Sequence, residues 1–388
     1  MKLAKRIISA VLAIVLCMSF ITGCASQGKT DAKAEEPKAK ESFKIGFPFM
    51  LTSDPTMVAI VNNVKLACKT AGGEAVFENW DFTPDALITA SEKLINEGVD
   101  GLILAAPSSS VIPSLIKMCT DAQVPFVIPW RHIVDQKIKD QLNSCPYFVG
   151  NTQEDDEQHS YNIVKKMSEA GVKNMAVLGL KKGDVSGDMR DAGMERAAKE
   201  TGMKIVAETR DFATSSDATK AVESFIAAYP EMDGIFITGG AMTQGILQGT
   251  TKALDMHNKK GKVKIGMIDF TSGMEAEIDK GYLYIVAGGN MVADPTFSCA
   301  MLINKVKGTP LSDKPLWLNI DFINLMTSEQ TKNYFKYVEG SNPPYTAEEM
   351  KKLMFKFENP EVSADSFTKV VQDYSLEDVM ARHKDQVK

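Results

Sequence analysis

Short apolar runs alternate with longer amphipathic segments from residue 44 onward. Each run has the length of a strand and is apolar almost throughout. The segments between the runs repeat apolar residues at helical spacing, as at Val58, Val61 and Val64, and predict helices. The ten predicted strands are 44–50, 74–78, 101–106, 125–129, 147–150, 174–180, 204–209, 234–238, 263–269 and 282–287.

Apolar strands that alternate with helices indicate parallel sheets covered on both faces. Two halves of the chain repeat one plan: "EGVDGLILAAP" corresponds to "PEMDGIFITGG", and "VPFVIPWR" corresponds to "VKIGMIDF". We therefore predict an α/β protein with two doubly wound parallel-sheet lobes. Ligands bind beyond the carboxyl ends of parallel strands, so the cleft between the lobes is the expected binding site.

The N-terminus has the pattern of an export signal. Lys2, Lys5 and Arg6 precede an apolar stretch, 7–21, that is short for a membrane span. The stretch ends in "ITGC", which resembles the lipobox of bacterial lipoproteins. That resemblance implies that Cys24 is acylated and that the residues before it are removed. An ordinary secretory signal with an incidental cysteine is the alternative.

The segment after Cys24 reads "ASQGKTDAKAEEPKAKES" and contains no large apolar residue. Such a composition cannot offset the entropy of ordering, and it predicts a flexible tether. We expect 1–23 to be a signal peptide and 24–42 to be a lipidated cysteine with its tether. The protein would then be exported and anchored by lipid to the outer face of the cytoplasmic membrane.

Charge and cysteine spacing argue against nucleic acid and metal as partners. The formal net charge of the 388 residues is −6, and no basic block interleaved with aromatic residues is present. The cysteines of the body show no CxxC spacing. We expect them to be buried free thiols, with a Cys119–Cys145 bridge as the alternative. These cysteines are Cys68, Cys119, Cys145 and Cys299.

No catalytic motif stands out in the sequence. GxSxG, GxxxxGK[ST] and HExxH patterns are absent, and the four histidines are scattered. The acidic stretch "NTQEDDEQHS" lies at a predicted helix start, where it complements the helix dipole without a metal ion. We therefore expect neither an enzyme nor a cofactor.

Eight segments, in order and behind the lipobox, carry a family resemblance: "KIGFPF", "SDPTMVAIVNNVK", "LINEGVDGLILAAP", "VPFVIPWR", "FVGNT", "RDAGMERA", "DGIFITGG" and "IGMIDF". Over residues 44–310 the chain resembles the type I periplasmic-binding-type lipoproteins, the ribose- and galactose-receptor-like sugar receptors of bacterial ABC importers. The resemblance implies a monomer that closes around a small ligand by hinge motion and presents it to a membrane permease.

The resemblance also implies that the chain crosses between the lobes three times, near 150–151, 288–289 and 312–318. The first lobe would comprise 43–150 and 289–311, and the second lobe 151–288 and 312–388. Residues 327–388 exceed the usual length of the family, and we expect them to form extra helices on the second lobe.

Trp130 and Arg131 follow a predicted core strand and have the chemistry of a sugar site. An aromatic face suits the C–H face of a sugar ring, and a planar guanidinium can hold adjacent hydroxyls. The arginine matches the family, whereas Trp130 stands where the family usually has an aspartate. Packing of Trp130 inside the first lobe is the alternative.

The resemblance implies further ligand contacts, several with a structural alternative. Asp269 would accept from hydroxyls, or else act at the hinge or as a cap. Arg190 would reach the cleft from the second lobe, or else be a surface charge. Asp54 would contact the ligand or cap a helix. It also points to Asn151 at the first crossing and to Phe212 closing over the sugar. From the residues themselves, Trp80 is a candidate second aromatic surface, and the N–H groups at a helix start near Gly240 suit an anion.

Departures from the family pattern indicate an unusual ligand. Gly239–Gly240 stands where sugar receptors often carry Asn–Asp, and Gly288–Gly289 replaces a common glutamine. We therefore expect a less polar or bulkier ligand, such as a deoxy sugar, a glycoside or a nucleoside-like molecule. A receptor that signals to a chemoreceptor or histidine kinase is the alternative function. A DNA-binding repressor of the same architecture is excluded by the lipobox.

Overall fold

All ten predicted strands form, and two further strands follow them. The computed structural model describes residues 42–210, 214–239, 243–339 and 342–384. In chain order the strands are β1 (Lys44–Pro48), β2 (Glu74–Glu78), β3 (Gly101–Ile103), β4 (Phe126–Ile128), β5 (Phe148–Glu154), β6 (Asn174–Leu178), β7 (Lys204–Thr209), β8 (Gly234–Ile237), β9 (Lys264–Ile268), β10 (Leu283–Gly288), β11 (Leu316–Ile320) and β12 (Ile323–Leu325).

Helices alternate with the strands and then continue alone to the end of the described chain. None of the helices in the described ranges is both long and apolar enough to cross a membrane. In chain order the helices are α1 (Pro55–Thr70), α2 (Pro84–Asn96), α3 (Ile112–Ala122), α4 (Gln136–Ser144), α5 (Asp156–Glu169), α6 (Val185–Thr201), α7 (Ser215–Ala228), α8 (Thr243–Met256), α9 (Met274–Asp279), α10 (Asn290–Val306), α11 (Ser328–Tyr337), α12 (Ala347–Leu353), α13 (Ala364–Gln372) and α14 (Leu376–His383).

The strands build two six-stranded sheets, which confirms the predicted α/β class. The first sheet has the order β11-β5-β4-β3-β1-β2, and the second has the order β12-β10-β9-β8-β6-β7. The pairs are parallel except for β10 with β12. Each central strand is buried throughout, because helices cover both faces of its sheet. We call the first sheet with its helices the first lobe, and the second sheet with its helices the second lobe.

The chain passes between the lobes at positions that differ in part from the expected ones. Strand β5 continues to Glu154 in the first sheet, beyond the expected crossing at 150–151. The chain leaves the second sheet at Gly288, and α10 then packs against β3, β4 and β5. The third passage lies at Asp321–Phe322, between β11 and β12, rather than at 312–318.

The expectation that 312–388 belongs wholly to the second lobe is wrong. Strand β11 pairs with β5 along its full length, for example Trp317 with Asn151. Helix α12 packs on α1, and α13 packs on β11, so both belong to the first lobe. The physical reason is that α10 offers an apolar side chain, Phe297, around which Tyr345 and Phe367 pack. Helix α11 contacts α9 and β12 and so packs on the second lobe.

The four body cysteines are buried and free, as expected from their spacing. Cys68 on α1 and Cys299 on α10 approach each other, with 3.7 Å between their sulfur atoms. Burial raises the pKa of the Cys119 thiol. The thiols therefore behave as small apolar groups in the core of the first lobe.

Glycine allows α8 to approach α7 closely, and this contact predicts opposite effects for two substitutions. A Cβ at Gly249 would lie 2.1 Å from the Ser215 carbonyl oxygen, whereas a Cβ at Gly245 would lie at least 3.7 Å from any atom of the described residues outside α8. Gly249→Ala should lower the free energy of unfolding by about 1–3 kcal/mol through overpacking. Gly245→Ala should raise it by up to about 1 kcal/mol through helix propensity. Urea unfolding of both variants checks this, and equal effects would contradict the packing.

Candidate functional site

Equivalent strands of the two sheets end in the candidate site residues. Trp130 and Arg131 follow β4 of the first sheet, and Asp269 and Phe270 follow β9 of the second. Both pairs lie at the carboxyl edges of parallel strands, where side chains of successive loops converge.

Trp130 packs partly in the core of the first lobe and lies at the carboxyl edge of the first sheet. Its ring centroid lies 6.2 Å from those of Phe47 and Phe49, and its side chain remains half-buried. The backbone N–H donates to Asp294 Oδ2 over 3.2 Å, while the indole Nε1 is buried and has no hydrogen-bond partner among the described residues. Trp130 therefore packs in the first lobe, as the alternative held, and also lies at the strand end.

The guanidinium of Arg131 is fixed by backbone rather than by a carboxylate. Its Nε and Nη2 both donate to the Ala106 carbonyl oxygen, at 3.0 and 2.7 Å. Burial lowers its pKa. Asn151, expected at the first crossing, instead lies fully buried within β5 and donates to the carbonyls of Ile128 and Arg131. Asn151 thus holds the loop that carries Trp130 and Arg131.

In the second lobe, Arg190 is the centre of a buried polar network. It is 8% exposed, which rules out the surface alternative. Its Nε donates to Asp156 Oδ1 and its Nη1 to the Thr238 carbonyl, each over 2.7 Å. Asp269 Oδ2 lies 3.9 Å from Nη1. Burial disfavours the charge, but the carboxylates of Asp156 and Asp269 raise the pKa of Arg190.

Position 239 requires glycine, because the polar network around Arg190 closely approaches the backbone there. The residue has a φ of 92°, and a Cβ there would lie 2.6 Å from Asp269 Oδ2 and 2.7 Å from Arg190 Nη1. A side chain at this position would therefore displace both groups. The neighbouring candidate Gly240, as well as Phe212 and Cys24, lies outside the described residues.

Backbone strain marks the same strand ends. Five described residues other than glycine have a positive φ, and three of them follow strands at the carboxyl edges: Phe82 at 64°, Trp130 at 56° and Asp269 at 72°. Such conformations are costly for bulky residues and cluster at functional sites. The strain therefore falls after strands of both sheets.

Phe82 was missed by the sequence analysis, which proposed Trp80 as the second aromatic surface. Trp80 is 5% exposed and lies beneath Phe82, with 4.9 Å between ring centroids. Phe82 is 52% exposed and is therefore the accessible aromatic side chain of this loop. The sequence signal was the second aromatic residue of "ENWDF", two positions after the first.

Asp54 caps α1. Its carboxylate accepts a hydrogen bond from the Met57 N–H over 3.2 Å, and Pro55 occupies the first helical position. The side chain is exposed. The structure thus provides the capping contact, one of the two alternatives.

Two buried carboxylates behind the site were not foreseen. Asp294 accepts from the Trp130 N–H and from the hydroxyl of Thr152, and Glu154 accepts from the Asn290 amide. Burial raises the pKa of Asp294 to about 7 and that of Glu154 well above its usual range. Asp155 caps α5, at the helix start that the acidic stretch predicted. Asp156, the next residue, forms the ion pair with Arg190.

This arrangement suits binding rather than catalysis. It combines an indole, a guanidinium and a carboxylate that follow strands with a second guanidinium on helix α6. Such groups can stack on a ring and hydrogen-bond to hydroxyls. In the described part of the chain, no group of three or more histidine, cysteine, aspartate or glutamate side chains is arranged to hold a metal ion.

Comparison with known proteins gives a family match over most of the body. The sequence profile of a periplasmic binding protein domain matches residues 45–310. The chain is 22% identical over 272 residues to the ribose import binding protein of Bacillus subtilis (strain 168), covering 70% of this chain and 83% of that protein. These matched proteins bind solutes and are not enzymes.

Solved structures share the fold at low sequence identity. A solute-binding protein of Actinobacillus succinogenes with bound D-allose superposes with a TM-score of 0.63 at 19% identity, covering 75% of this chain and 99% of that one. A periplasmic ribose ABC transporter protein of Conexibacter woesei gives a TM-score of 0.64 at 13% identity, covering 77% and 96%.

The raised pKa of Asp294 predicts a pH-dependent stability. Its folded pKa of about 7 lies above the ordinary value of 3.8, so the folded state retains a proton that the unfolded state has lost. The stability of the unmodified protein relative to Asp294→Asn should therefore fall as pH rises from about 4 to about 7, by up to about 4 kcal/mol. Thermal unfolding of both proteins across this range checks it, and a constant difference would contradict it.

Proposed function

The chain belongs to the periplasmic binding protein family, and on this premise we propose that it captures a small carbohydrate or carbohydrate-like molecule outside the cytoplasm and delivers it to an ABC importer. One observation carries the proposal: two strained residues, Trp130 and Asp269, end equivalent strands of the two sheets. Each has an arginine beside it, Arg131 in one lobe and Arg190 in the other.

Hinge closure is the proposed mechanism. A ligand that bridges Trp130 and Arg131 to Asp269 and Arg190 stabilises the closed arrangement of the lobes, and the passages between the lobes absorb the rotation. Only interactions that are stronger in the closed state can shift this equilibrium. The closed protein then docks on the importer's permease.

The edge of the first lobe favours a ligand with an apolar part. Six large apolar side chains are strongly exposed in the described ranges, and five of them follow the strands of the first sheet or begin α1. We propose a deoxy sugar or a glycoside, whose apolar group would contact this surface, and a nucleoside would suit it for the same reason. The five side chains are Met50, Leu51, Val58, Phe82 and Val134.

We also propose that Cys24 carries a lipid that holds the protein at the outer face of the membrane. The "ITGC" sequence and the polar segment that follows it support this anchor. An anchored receptor remains close to its permease, which raises its effective concentration there.

A ligand panel tests the binding function. We expect one member among pentoses, hexoses, deoxy sugars, glycosides and nucleosides to raise the melting temperature by several degrees, since a ligand at 100 times its dissociation constant adds about 2.7 kcal/mol. Trp130→Ala and Asp269→Ala should abolish this shift. Trp317→Ala is the matched control. Trp317 is not among the proposed ligand contacts: it lies on β11, and its indole N–H donates to Asn143 Oδ1. An unchanged shift in Trp130→Ala would contradict the proposed site.

Membrane association tests the lipid anchor. The unmodified protein should fractionate with membranes and incorporate a fatty-acid label, whereas Cys24→Ser should lose the label and leave the membrane fraction. Cys17→Ser is the control, because Cys17 precedes the proposed cleavage point. Equal labelling of the Cys24→Ser variant would show that the anchor is wrongly assigned.

A further inference from the structure

In addition to the three hinge passages, the C-terminal helices α11 to α14 connect the two lobes. Helix α11 packs on the second lobe through α9 and β12, whereas α12 and α13 pack on the first lobe through α1 and β11. Helix α14 then returns to α11. This segment lies outside the family match, which ends at residue 310.

Glu339 ties the end of α11 to the start of α1. Its Oε1 accepts from the Thr56 hydroxyl over 3.0 Å, and its Oε2 accepts from the Tyr334 hydroxyl over 3.1 Å. The side chain is 7% exposed, and burial raises its pKa. Thr56 lies two residues after Asp54, at the edge of the first lobe that faces the site.

Tyr334 reaches the site from the other lobe. Its buried ring meets Phe270, the neighbour of Asp269, edge-on with 4.5 Å between centroids. The same ring passes Gly289, at the second passage of the hinge, so closely that a Cβ there would lie 2.9 Å from it. Glu339 and Tyr334 together therefore connect helix α1 of one lobe to the loop after β9 of the other.

A second tie holds the hinge itself. The hydroxyl of Tyr374 donates to the Gly289 carbonyl oxygen over 2.9 Å. The ring of Tyr374 packs edge-on against Phe297 of α10, as does that of Tyr345. The second passage is thus bonded to a residue anchored in the core of the first lobe.

A third tie joins α12 to α14 through one carboxylate. Glu349 accepts from Arg382 Nη1 and pairs with His383 Nε2, each at 2.9 Å. Burial alone would raise its pKa, but hydrogen bonds from the Thr346 N–H, His383 and Arg382 lower the pKa of Glu349. Because α12 packs on the first lobe and α14 on α11, this cluster also links the lobes.

We propose that α11 to α14 form an interlobe brace that limits how far the cleft opens, with Glu339 and Tyr334 as positioning residues for the ligand site. The brace holds the start of α1 and the loop after β9 at a restricted separation. A protein kept near its binding geometry loses less freedom when it closes, so its ligand binds more tightly. The proposal rests on the proposed function only in taking the cleft as the ligand site.

Interlobe distances in the ligand-free protein test the brace. Spin labels at Lys117→Cys on α3 and Lys252→Cys on α8 report on one lobe each, and both positions are exposed while the native body cysteines are buried. The test variant combines Thr56→Val, Tyr374→Phe and Glu349→Gln in the full chain, which removes one bond from each tie. Glutamine at 349 retains the side-chain oxygen that caps α12.

A matched triple variant breaks three bonds of the same kinds within single lobes. It combines Thr89→Val, Tyr161→Phe and Glu157→Gln, whose partners are the Asp85 carbonyl, Glu200 and Arg196. We expect one narrow distance distribution for the unmodified protein and the control. The test variant should gain a longer distance with an unchanged circular dichroism spectrum.

Two results would overturn the brace: an unmodified protein that already samples a broad range of distances, or a test variant with the unmodified distribution. If the triple variant fails to fold, Thr56→Val alone should still broaden the distribution of interlobe distances. An unchanged distribution in Thr56→Val would contradict the proposal. The distances are measured on the ligand-free protein, so a failure of the brace and a failure of the proposed binding function can be told apart.

Discussion

The cleft depends on one buried cation. Arg190 draws together Asp156 at the start of α5, the Thr238 carbonyl at the end of β8, and Asp269 after β9. A buried ion pair adds little net stability, because desolvation offsets its attraction. Its effect is positional: removing Arg190 would leave the buried carboxylate of Asp156 without its ion-pair partner. Gly239 shows how closely the backbone is fitted to this network.

The two lobes contribute different chemistry to the cleft. The second lobe offers fixed charges around Arg190, whereas the first offers aromatic and aliphatic side chains around Trp130 and Phe82. The Arg131 guanidinium of the first lobe is held by the Ala106 carbonyl, and among the described residues no acidic side chain is bonded to it. A ligand that is polar on one side and apolar on the other matches this asymmetry.

Local pattern predicted the strands, the two lobes and the strand-end residues Trp130, Arg131 and Asp269, because these follow from short-range periodicity and parallel topology. Long-range pairing was not predictable. The apolar run of β11 fits the free edge of either sheet, and only tertiary packing selects β5. The ion pair of Asp156 with Arg190 was also not predictable from the sequence. An acidic residue at a helix start is already explained by the helix dipole, so it does not indicate a distant partner.

The most direct test is a crystal structure with the ligand that most raises the melting temperature. We expect one ring between the lobes, with an apolar face on Trp130 and hydroxyls bonded to Arg131 and Asp269, and with the lobes closed on it. A ligand bound outside the cleft, or held by one lobe while Asp269 makes no contact, would show that the proposed site is wrong.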